Sequence, residues 1–343
     1  MNRATGGRRV LVTGGAGYIG AHVVRRLLER GDEPVVLDEL STGRRLAAAP
    51  ARLHVGSVTE RPRLDAILHD ERIEAVIHLA GRKSVEESIR EPAAYAAANI
   101  SGSITLLEAC VAAGIGSFVF SSTAAVYGIP ERLPVREDAV TRPANPYGET
   151  KVTVERILHW LAHAGSVRSV SLRYFNAAGA AADGTIGEPW EHATNLIPIV
   201  LRAAWRGEPV WVFGTDYPTA DGTAVRDYIH VVDLADAHVR ALDYLAGGGS
   251  TTILNLGTET GVSVAEVIDA AERVTGHAIE TRAAPRRDGD PPAVWADASR
   301  ARETLGWRAE RGLVEMLASA WHWHTAEAAR GEGETSAART SPA

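Results

Sequence analysis

The chain has 343 residues, with 36 basic against 43 acidic side chains and a formal charge of −7. That length buries a large core and calls for two domains or one elaborated α/β domain. The acidic balance, with no basic block, argues against nucleic acid or a membrane surface as the main partner.

No long apolar stretch suited to spanning a bilayer is present, and the first nine residues are polar rather than leader-like. The single cysteine, Cys110, has no disulfide partner and sits among Leu106, Leu107 and Val111 as a core residue. A cytoplasmic protein is expected.

The first predicted strand, Val10–Val12, enters Thr13-Gly14-Gly15-Ala16-Gly17-Tyr18-Ile19-Gly20, and a helix follows over 18–29. Gly14 suits a tight turn, Gly17 lets backbone amides approach a pyrophosphate, and Gly20 lets the helix lie close to the sheet. The helix N-terminus then faces the pyrophosphate. A second apolar run, Val35–Leu37, ends in Asp38 at the spacing of a ribose-binding acid. Its carboxylate takes both ribose hydroxyls and repels a 2′-phosphate, which indicates NAD rather than NADP, although Arg44 and Arg45 follow closely.

Strands at Leu53–Val55, Ala75–Leu79, Phe118–Phe120 and Ser169–Leu172 alternate with helices near 61–70, 92–113 and 147–163. This spacing predicts a parallel sheet with helices on both faces and ligands at the carboxyl ends of the strands. Gly56-Ser57-Val58 and Leu79-Ala80-Gly81-Arg82-Lys83 occupy such ends; they leave room for a dinucleotide and are equally compatible with ordinary turns. The fifth strand delivers Ser121-Ser122-Thr123 to the same edge.

After a proline-rich crossing loop over 131–145, Asn145-Pro146 reads as a cap and first helical turn, followed by Tyr147 and Lys151 on one helix face. A free tyrosine has a pKa near ~10, and lowering it by about three units corresponds to about 4 kcal/mol. The Lys151 ammonium and a positive nicotinamide are expected to supply that shift. Tyr147 would then take a proton from a substrate hydroxyl as hydride leaves the same carbon, with Thr123 bonding the oxygen and Lys151 holding the nicotinamide ribose.

The second half departs from strict alternation. Arg173-Tyr174-Phe175-Asn176 ends the sixth strand, Asn195-Leu196 opens a helix, and Trp211-Val212-Phe213 offers a flat base an edge and an aromatic face. Arg226, Arg286 and Arg287 suit a diphosphate, or surface ion pairs if taken singly. A helix over 313–329 carries Met316, Leu317, Trp321 and Trp323. His322 and His324 suit its surface rather than a metal site, and none is expected. Residues 1–7 and 331–343 read as flexible termini.

With these residues assembled, the chain resembles the UDP-glucose 4-epimerases of the extended short-chain dehydrogenase/reductase family over residues 10–323. The markers are TGGAGYIG, SSTAAVYG, NPYGETK, LRYFNAAG, FGTDYPTADGTAVRDYIHVVDLADAH, APRRDGD and WADASRA. The likeness implies a doubly wound NAD-binding Rossmann domain over 8–175 and a smaller α/β UDP-sugar domain over 176–329. Residues 231–256 are expected to pack back on the first. It also implies reversible hydride transfer from sugar C4 to tightly held NAD through a 4-keto sugar, and a homodimer joined by the helices 92–113 and 147–163.

By motif position Tyr147 is the base, Lys151 its partner and Thr123 the hydroxyl residue. Gly14, Gly17, Tyr18, Ile19, Gly20, Asp38, Ser57, Val58, Leu79, Ala80, Gly81, Lys83, Asn99, Ser121, Ser122 and Tyr174 join Tyr147 and Lys151 around the cofactor. Asn176, Asn195, Leu196, Trp211, Phe213, Arg226, Arg287, Asp290 and Val294 join Thr123 around the UDP-sugar.

Two departures stand out. Ser57 replaces the aspartate that usually meets the adenine amino group, so weaker NAD retention is expected. Val294 stands where hexose-restricted members carry tyrosine, so N-acetylhexosamines are expected as additional substrates, unless Val294 simply packs against Trp295. Ala124-Ala125 lacks the acid pair of a dehydratase. Another sugar-nucleotide epimerase or a UDP-glucuronate decarboxylase remains the alternative, and an NAD-sensing scaffold is the non-enzymatic one.

Overall fold

The computed structural model describes residues 7–287 and 289–339. Of the expected flexible termini, 1–6 and 340–343 lie outside the described residues. Strands and helices alternate from the start: β1 (Arg9–Thr13), α1 (Tyr18–Glu29), β2 (Glu33–Asp38), β3 (Arg52–Val55), α2 (Arg61–Asp70) and β4 (Ala75–His78). Next come α3 (Val85–Arg90), α4 (Pro92–Tyr95), a π-helical turn over Ala96–Ser101, α5 (Gly102–Ala112), β5 (Ser117–Ser121), α6 (Pro146–His163) and β6 (Arg168–Tyr174).

The remainder holds β7 (Asn176–Ala178), α7 (Leu196–Arg206), β8 (Val210–Phe213), β9 (Val225–Arg226), β10 (Tyr228–His230), α8 (Val231–Ala246) and β11 (Thr252–Leu256). It closes with β12 (Val262–Ser263), α9 (Val264–Thr275), β13 (Thr281–Ala284), β14 (Ala293–Val294), α10 (Ser299–Leu305) and α11 (Leu313–Arg339). The last helix runs into the stretch expected to be a flexible tail.

Seven parallel strands form the central sheet in the order β11-β6-β5-β4-β1-β2-β3. Its strands read as continuous apolar runs because both faces are covered. Alternation sends Val10, Val12, Val36, Ile77 and Val119 to one face, under Val23 and Leu27 of α1 and Leu234 and Leu242 of α8. It sends Leu11, Leu37, Val76, Phe118 and Phe120 to the other, under Leu64 of α2, Leu106 and Cys110 of α5 and Val154 and Leu158 of α6. Chain order reverses between β1 and β4, which opens a ligand crevice at their carboxyl ends.

A second core gathers Val200 and Leu201 of α7, Val210 and Val212 of β8, Val267 and Ala271 of α9, and Met316 and Leu317 of α11. Two sequence expectations are corrected. The helix expected over 92–113 is interrupted by the π-helical turn, whose extra residue turns Asn99 inward, where it is 3% exposed. His324 is buried rather than on the helix surface, because its ring fills the gap beside Trp190, stacked at 4.2 Å.

Candidate active site

The glycine turn fits a pyrophosphate. Gly14 has φ +72°, and a Cβ there would lie 2.7 Å from Ala80 N. At Gly20 a Cβ would lie 2.1 Å from Gly14 O, so only glycine admits this approach of helix to strand. Gly17 caps α1 without a side-chain hydrogen bond, which leaves the first-turn amides of Tyr18 and Ile19 aimed along the helix axis.

Asp38 is buried, not a solvated strand end. Its Oδ2 accepts from Ala16 N at 2.9 Å and its Oδ1 from Leu40 N at 2.8 Å, with Gly43 close against the carboxylate. Arg44, the nearest cation that could meet a 2′-phosphate, is instead paired with Glu327 and lies over Trp323 at 5.9 Å. These groups suit the ribose of NAD.

The loop after β4 is held by Asn99. Asn99 Oδ1 accepts from Arg82 N at 2.8 Å, while its Nδ2 donates to Arg82 O at 3.0 Å and to Thr150 Oγ1 at 3.1 Å. A Cβ on Gly81 would lie 2.9 Å from Asn99 Oδ1 and 3.9 Å from Lys151 Nζ, so this loop meets the α6 face directly. Behind it runs a buried relay that the sequence did not disclose. Thr13 donates to His78 Nδ1 at 2.7 Å, His78 Nε2 to Ser103 at 2.9 Å, and Ser103 to Asn99 O at 2.5 Å. Burial pulls His78 down to about 3, with the Lys151 charge adding to it, so the ring stays neutral.

Asn145 Oδ1 caps α6 by accepting from Gly148 N at 2.9 Å, with Pro146 in the first turn. Tyr147, Lys151 and Glu155 then form one stripe at four-residue spacing, against the end of β5. Lys151 Nζ donates to Ser121 O at 2.9 Å and lies 5.9 Å from the Tyr147 ring. Thr123 Oγ1 accepts from Ala125 N at 3.1 Å, and its hydroxyl lies beside the Tyr147 phenol.

The chain's own groups do not by themselves lower the Tyr147 pKa. Burial pushes it up to about 12, opposed only by the Thr123 hydroxyl, because the Lys151 ammonium is turned to the Ser121 carbonyl. Burial likewise draws Lys151 down to about 8, with the Glu155 charge opposing.

Of the other two hydroxyls of this turn, Ser122 Oγ donates to Glu155 Oε1 at 2.5 Å and Ser121 Oγ to His238 Nε2 at 2.7 Å. Both therefore serve internal partners, and Thr123 alone turns to Tyr147. Lys83 is paired with the buried Glu188 at 2.6 Å. Ser57 N donates to Glu60 Oε1 at 2.7 Å, and Ser57 Oγ accepts from Thr59 Oγ1 at 3.0 Å. Val58 packs in the sheet core, while Leu79, Ala80 and Tyr174 line its strand ends.

On the other side Asn176 Nδ2 donates to Asp227 O at 2.8 Å, and Arg226 pairs with Asp290 at 2.7 Å. Asn195 begins α7 with its side chain outside the cap, and Leu196 packs on the second core. Arg282 covers the Trp211 ring at 5.8 Å and Arg287 the Phe213 ring at 4.0 Å, so both aromatic faces already hold a planar cation. Val294 pairs with Arg226 in the β14–β9 ladder and packs against the Tyr127–Phe175 cluster. Asp227 is a hub that sequence reading missed: it accepts from Thr258 N at 2.8 Å, Thr258 Oγ1 at 2.7 Å and Ala296 N at 3.0 Å. Among the described residues no group of three or more metal-ligating side chains gathers, and no helix is long and apolar enough to cross a membrane.

The model of the NAD dependent epimerase/dehydratase family matches residues 10–257. A UDP-glucose 4-epimerase of Rhizobium meliloti is 48% identical over 92% of this chain and 97% of its own. A UDP-glucose 4-epimerase structure from Stenotrophomonas maltophila, with bound NAD and formylated UDP-arabinopyranose, superposes with a TM-score of 0.92. It is 43% identical over 94% of this chain and 99% of that one. The Brucella ovis enzyme in complex with NAD gives a TM-score of 0.89 at 42% identity, over 92% and 98% of the two chains.

Proposed function

The chain belongs to the NAD dependent epimerase/dehydratase family, and on that premise we propose that it interconverts UDP-galactose and UDP-glucose. It is an isomerase and uses NAD. The observation that carries the reading is the meeting of the Thr123–Tyr147 hydroxyl pair and Lys151 with the Gly81 loop, at the crevice beside Gly14.

Gly14, Gly17, Tyr18, Ile19 and Gly20 would receive the pyrophosphate, and Asp38 the adenosine ribose. Leu79, Ala80, Gly81, Lys83, Asn99, Lys151 and Tyr174 would frame the nicotinamide end. NAD, when bound, would supply a reversible hydride acceptor for sugar C4. Tyr147 accepts the C4 hydroxyl proton and gives it back, while Thr123 bonds the same oxygen. With Tyr147 at about 12 from the chain's own groups, the positive charge of the bound cofactor has to bring it within reach of neutral pH. Arg226, Arg287, Asn176, Asn195, Leu196, Phe213 and Asp290 would hold the UDP while the 4-keto sugar turns over.

Valine at 294 brings no aromatic ring that would narrow a sugar site, which supports acceptance of N-acetylhexosamines as well. We also propose a homodimer and a cytoplasmic location, the latter resting on the one unpaired cysteine. Incubation with UDP-galactose and with UDP-N-acetylgalactosamine, resolved by anion exchange, tests the function. Conversion of UDP-galactose, abolished in Tyr147→Phe, is expected. Conversion of the first sugar alone removes the N-acetylhexosamine reading. Carbon dioxide from UDP-glucuronate, without epimerisation, overturns the epimerase.

A further inference from the structure

Three successive residues of the α6 stripe meet three successive residues at the end of β5. Lys151 donates to Ser121 O at 2.9 Å, Glu155 accepts from Ser122 Oγ at 2.5 Å, and Tyr147 lies beside the Thr123 hydroxyl. The first and third contacts belong to the site already described. The middle one lies in the interior, where Ser122 has no exposed surface and Glu155 is 5% exposed.

Glu155 is not free to move. Its Oε1 also accepts from Arg173 Nε at 2.9 Å, and its Oε2 from Arg173 Nη2 at 2.6 Å, a bidentate pair with both side chains 3% exposed. Arg173 Nη1 continues to Tyr127 OH at 2.9 Å, and Tyr127 donates to Asn255 Oδ1 at 2.7 Å. Asn255 Nδ2 donates to Val135 O at 2.9 Å, and the same carbonyl accepts from Asp297 N at 2.8 Å. That backbone adjoins Ala296, whose N–H is held by Asp227. A single buried polar chain thus runs from the β5 terminus to the segment carrying Val294.

A buried ion pair with solvated alternatives gives little net stability, whereas it strongly favours one arrangement of the groups around it. Hydroxyl-to-hydroxyl contacts such as Thr123 to Tyr147 weaken steeply with small displacements. We propose that Glu155, anchored by Arg173 and acting through Ser122, is a positioning residue that fixes the register of β5 against α6 and so holds Thr123 on Tyr147. The inference rests on the proposed epimerase chemistry only for its kinetic readout.

The charged and titratable groups around this point are Lys151 on the same helix, His78 from β4, Arg173 and Tyr174 from β6, and His238 from α8. His78 and His238 are kept neutral by burial, so Lys151, Glu155 and Arg173 set the local field. Losing the Glu155 charge removes a support of the Lys151 ammonium, and losing the register weakens the Thr123 bond that lowers Tyr147. The second effect pushes the Tyr147 phenol upward.

The test uses the NAD-loaded full chain with Ser122→Ala and Glu155→Gln, each against a Tyr147→Phe reference. Ser122→Ala leaves the ion pair intact and is the cleaner variant; Glu155→Gln strands Arg173 and is read only on protein that retains wild-type NAD content and cooperative unfolding. The expected result is a kcat lower by about tenfold in Ser122→Ala with KM unchanged. Ultraviolet titration should show the Tyr147 phenolate shifted to higher pH in both. A wild-type kcat and an unshifted phenolate in Ser122→Ala overturn the proposal, as does a kcat loss explained wholly by lost NAD. The phenolate titration needs no substrate, so a wild type that converts no UDP-hexose refutes the functional reading and leaves the positioning role decided on its own.

Discussion

The Lys151 ammonium donates to the carbonyl of Ser121 across 2.9 Å from a side chain that is 6% exposed. Burial draws its pKa down to about 8 from 10.5. Between those values the unfolded chain binds one more proton than the folded one, so this site makes stability rise with pH across that window. Below it, the buried charge costs up to about 3 kcal/mol. Lys151→Met removes that cost and forfeits one hydrogen bond worth about 1 kcal/mol. The variant should therefore unfold at the same or a higher temperature at pH 7, with the advantage gone by pH 10, while turnover falls about a hundredfold or more. Thermal unfolding at the two pH values, beside an activity assay, checks both halves; a large loss of stability at pH 7 contradicts it.

The Lys151 position was readable because Tyr147 and Lys151 share one helical face directly after a capping Asn-Pro. The sheet was readable for a related reason: strands buried on both faces must be mostly apolar, and Val10–Val12, Ala75–Ile77 and Phe118–Phe120 are. Other features leave no periodic trace. The π-helical turn that points Asn99 inward is sustained by bonds to Arg82 and Thr150, contacts distant in sequence. Glu155 looks like one more polar helix residue until Arg173, inside an apolar strand, is seen opposite it. Three adjacent hydroxyls at 121–123 gave no sign that alternation along the strand sends two of them to the interior.

Asp227 carries no cationic partner among the described residues, and burial pushes its pKa up to about 6. Its oxygens meet only donors: Thr258 N, Thr258 Oγ1 and Ala296 N. Asp227→Asn puts an amide N–H against one of those donors, leaving a buried donor unsatisfied at a cost of about 1–3 kcal/mol. Because the Asp227 carbonyl also receives Asn176 Nδ2 and its neighbour is Arg226, the KM for a UDP-sugar should rise several-fold as well. Unfolding in urea and a KM comparison would show it, and a variant equal to wild type in both would refute it. With the folded pKa raised above 3.8, the stabilising contribution is fully present below that value and is lost as pH rises through about 6.

If Ser57 stands at the adenine as proposed, the amino group meets a hydroxyl already accepting from Thr59, where a carboxylate would accept more strongly. Ser57→Asp should slow the loss of NAD on dialysis by about fivefold to tenfold, provided the new side chain escapes Glu60, which holds Ser57 N. Ser57→Asp/Glu60→Gln removes that like-charge conflict and should retain NAD longer than the single variant. The absorbance and mass of bound nucleotide after timed dialysis decide between these orders, and wild-type protein that keeps stoichiometric NAD indefinitely would show that the serine costs nothing.

An apolar groove of about 410 Å³ lies between α5 and α6, lined by Ile104, Leu107, Val111, Ala112, Ile157 and Leu161 with Glu108 as the one charge. Trp160, 67% exposed, extends the same helix surface. Contiguous apolar surface on two neighbouring helices is what a second pair of helices covers, and a two-fold axis would bring the same two helices of another copy against it. Val111 is 41% exposed in the single chain, so Val111→Arg leaves the core untouched and places two like charges across such an axis. Light scattering during gel filtration should give twice the chain mass for the wild type and the chain mass for the variant, with thermal unfolding at a lower temperature once the interface is lost. A wild type that elutes as a monomer at micromolar concentration refutes the dimer. A variant that stays dimeric moves the interface to another face.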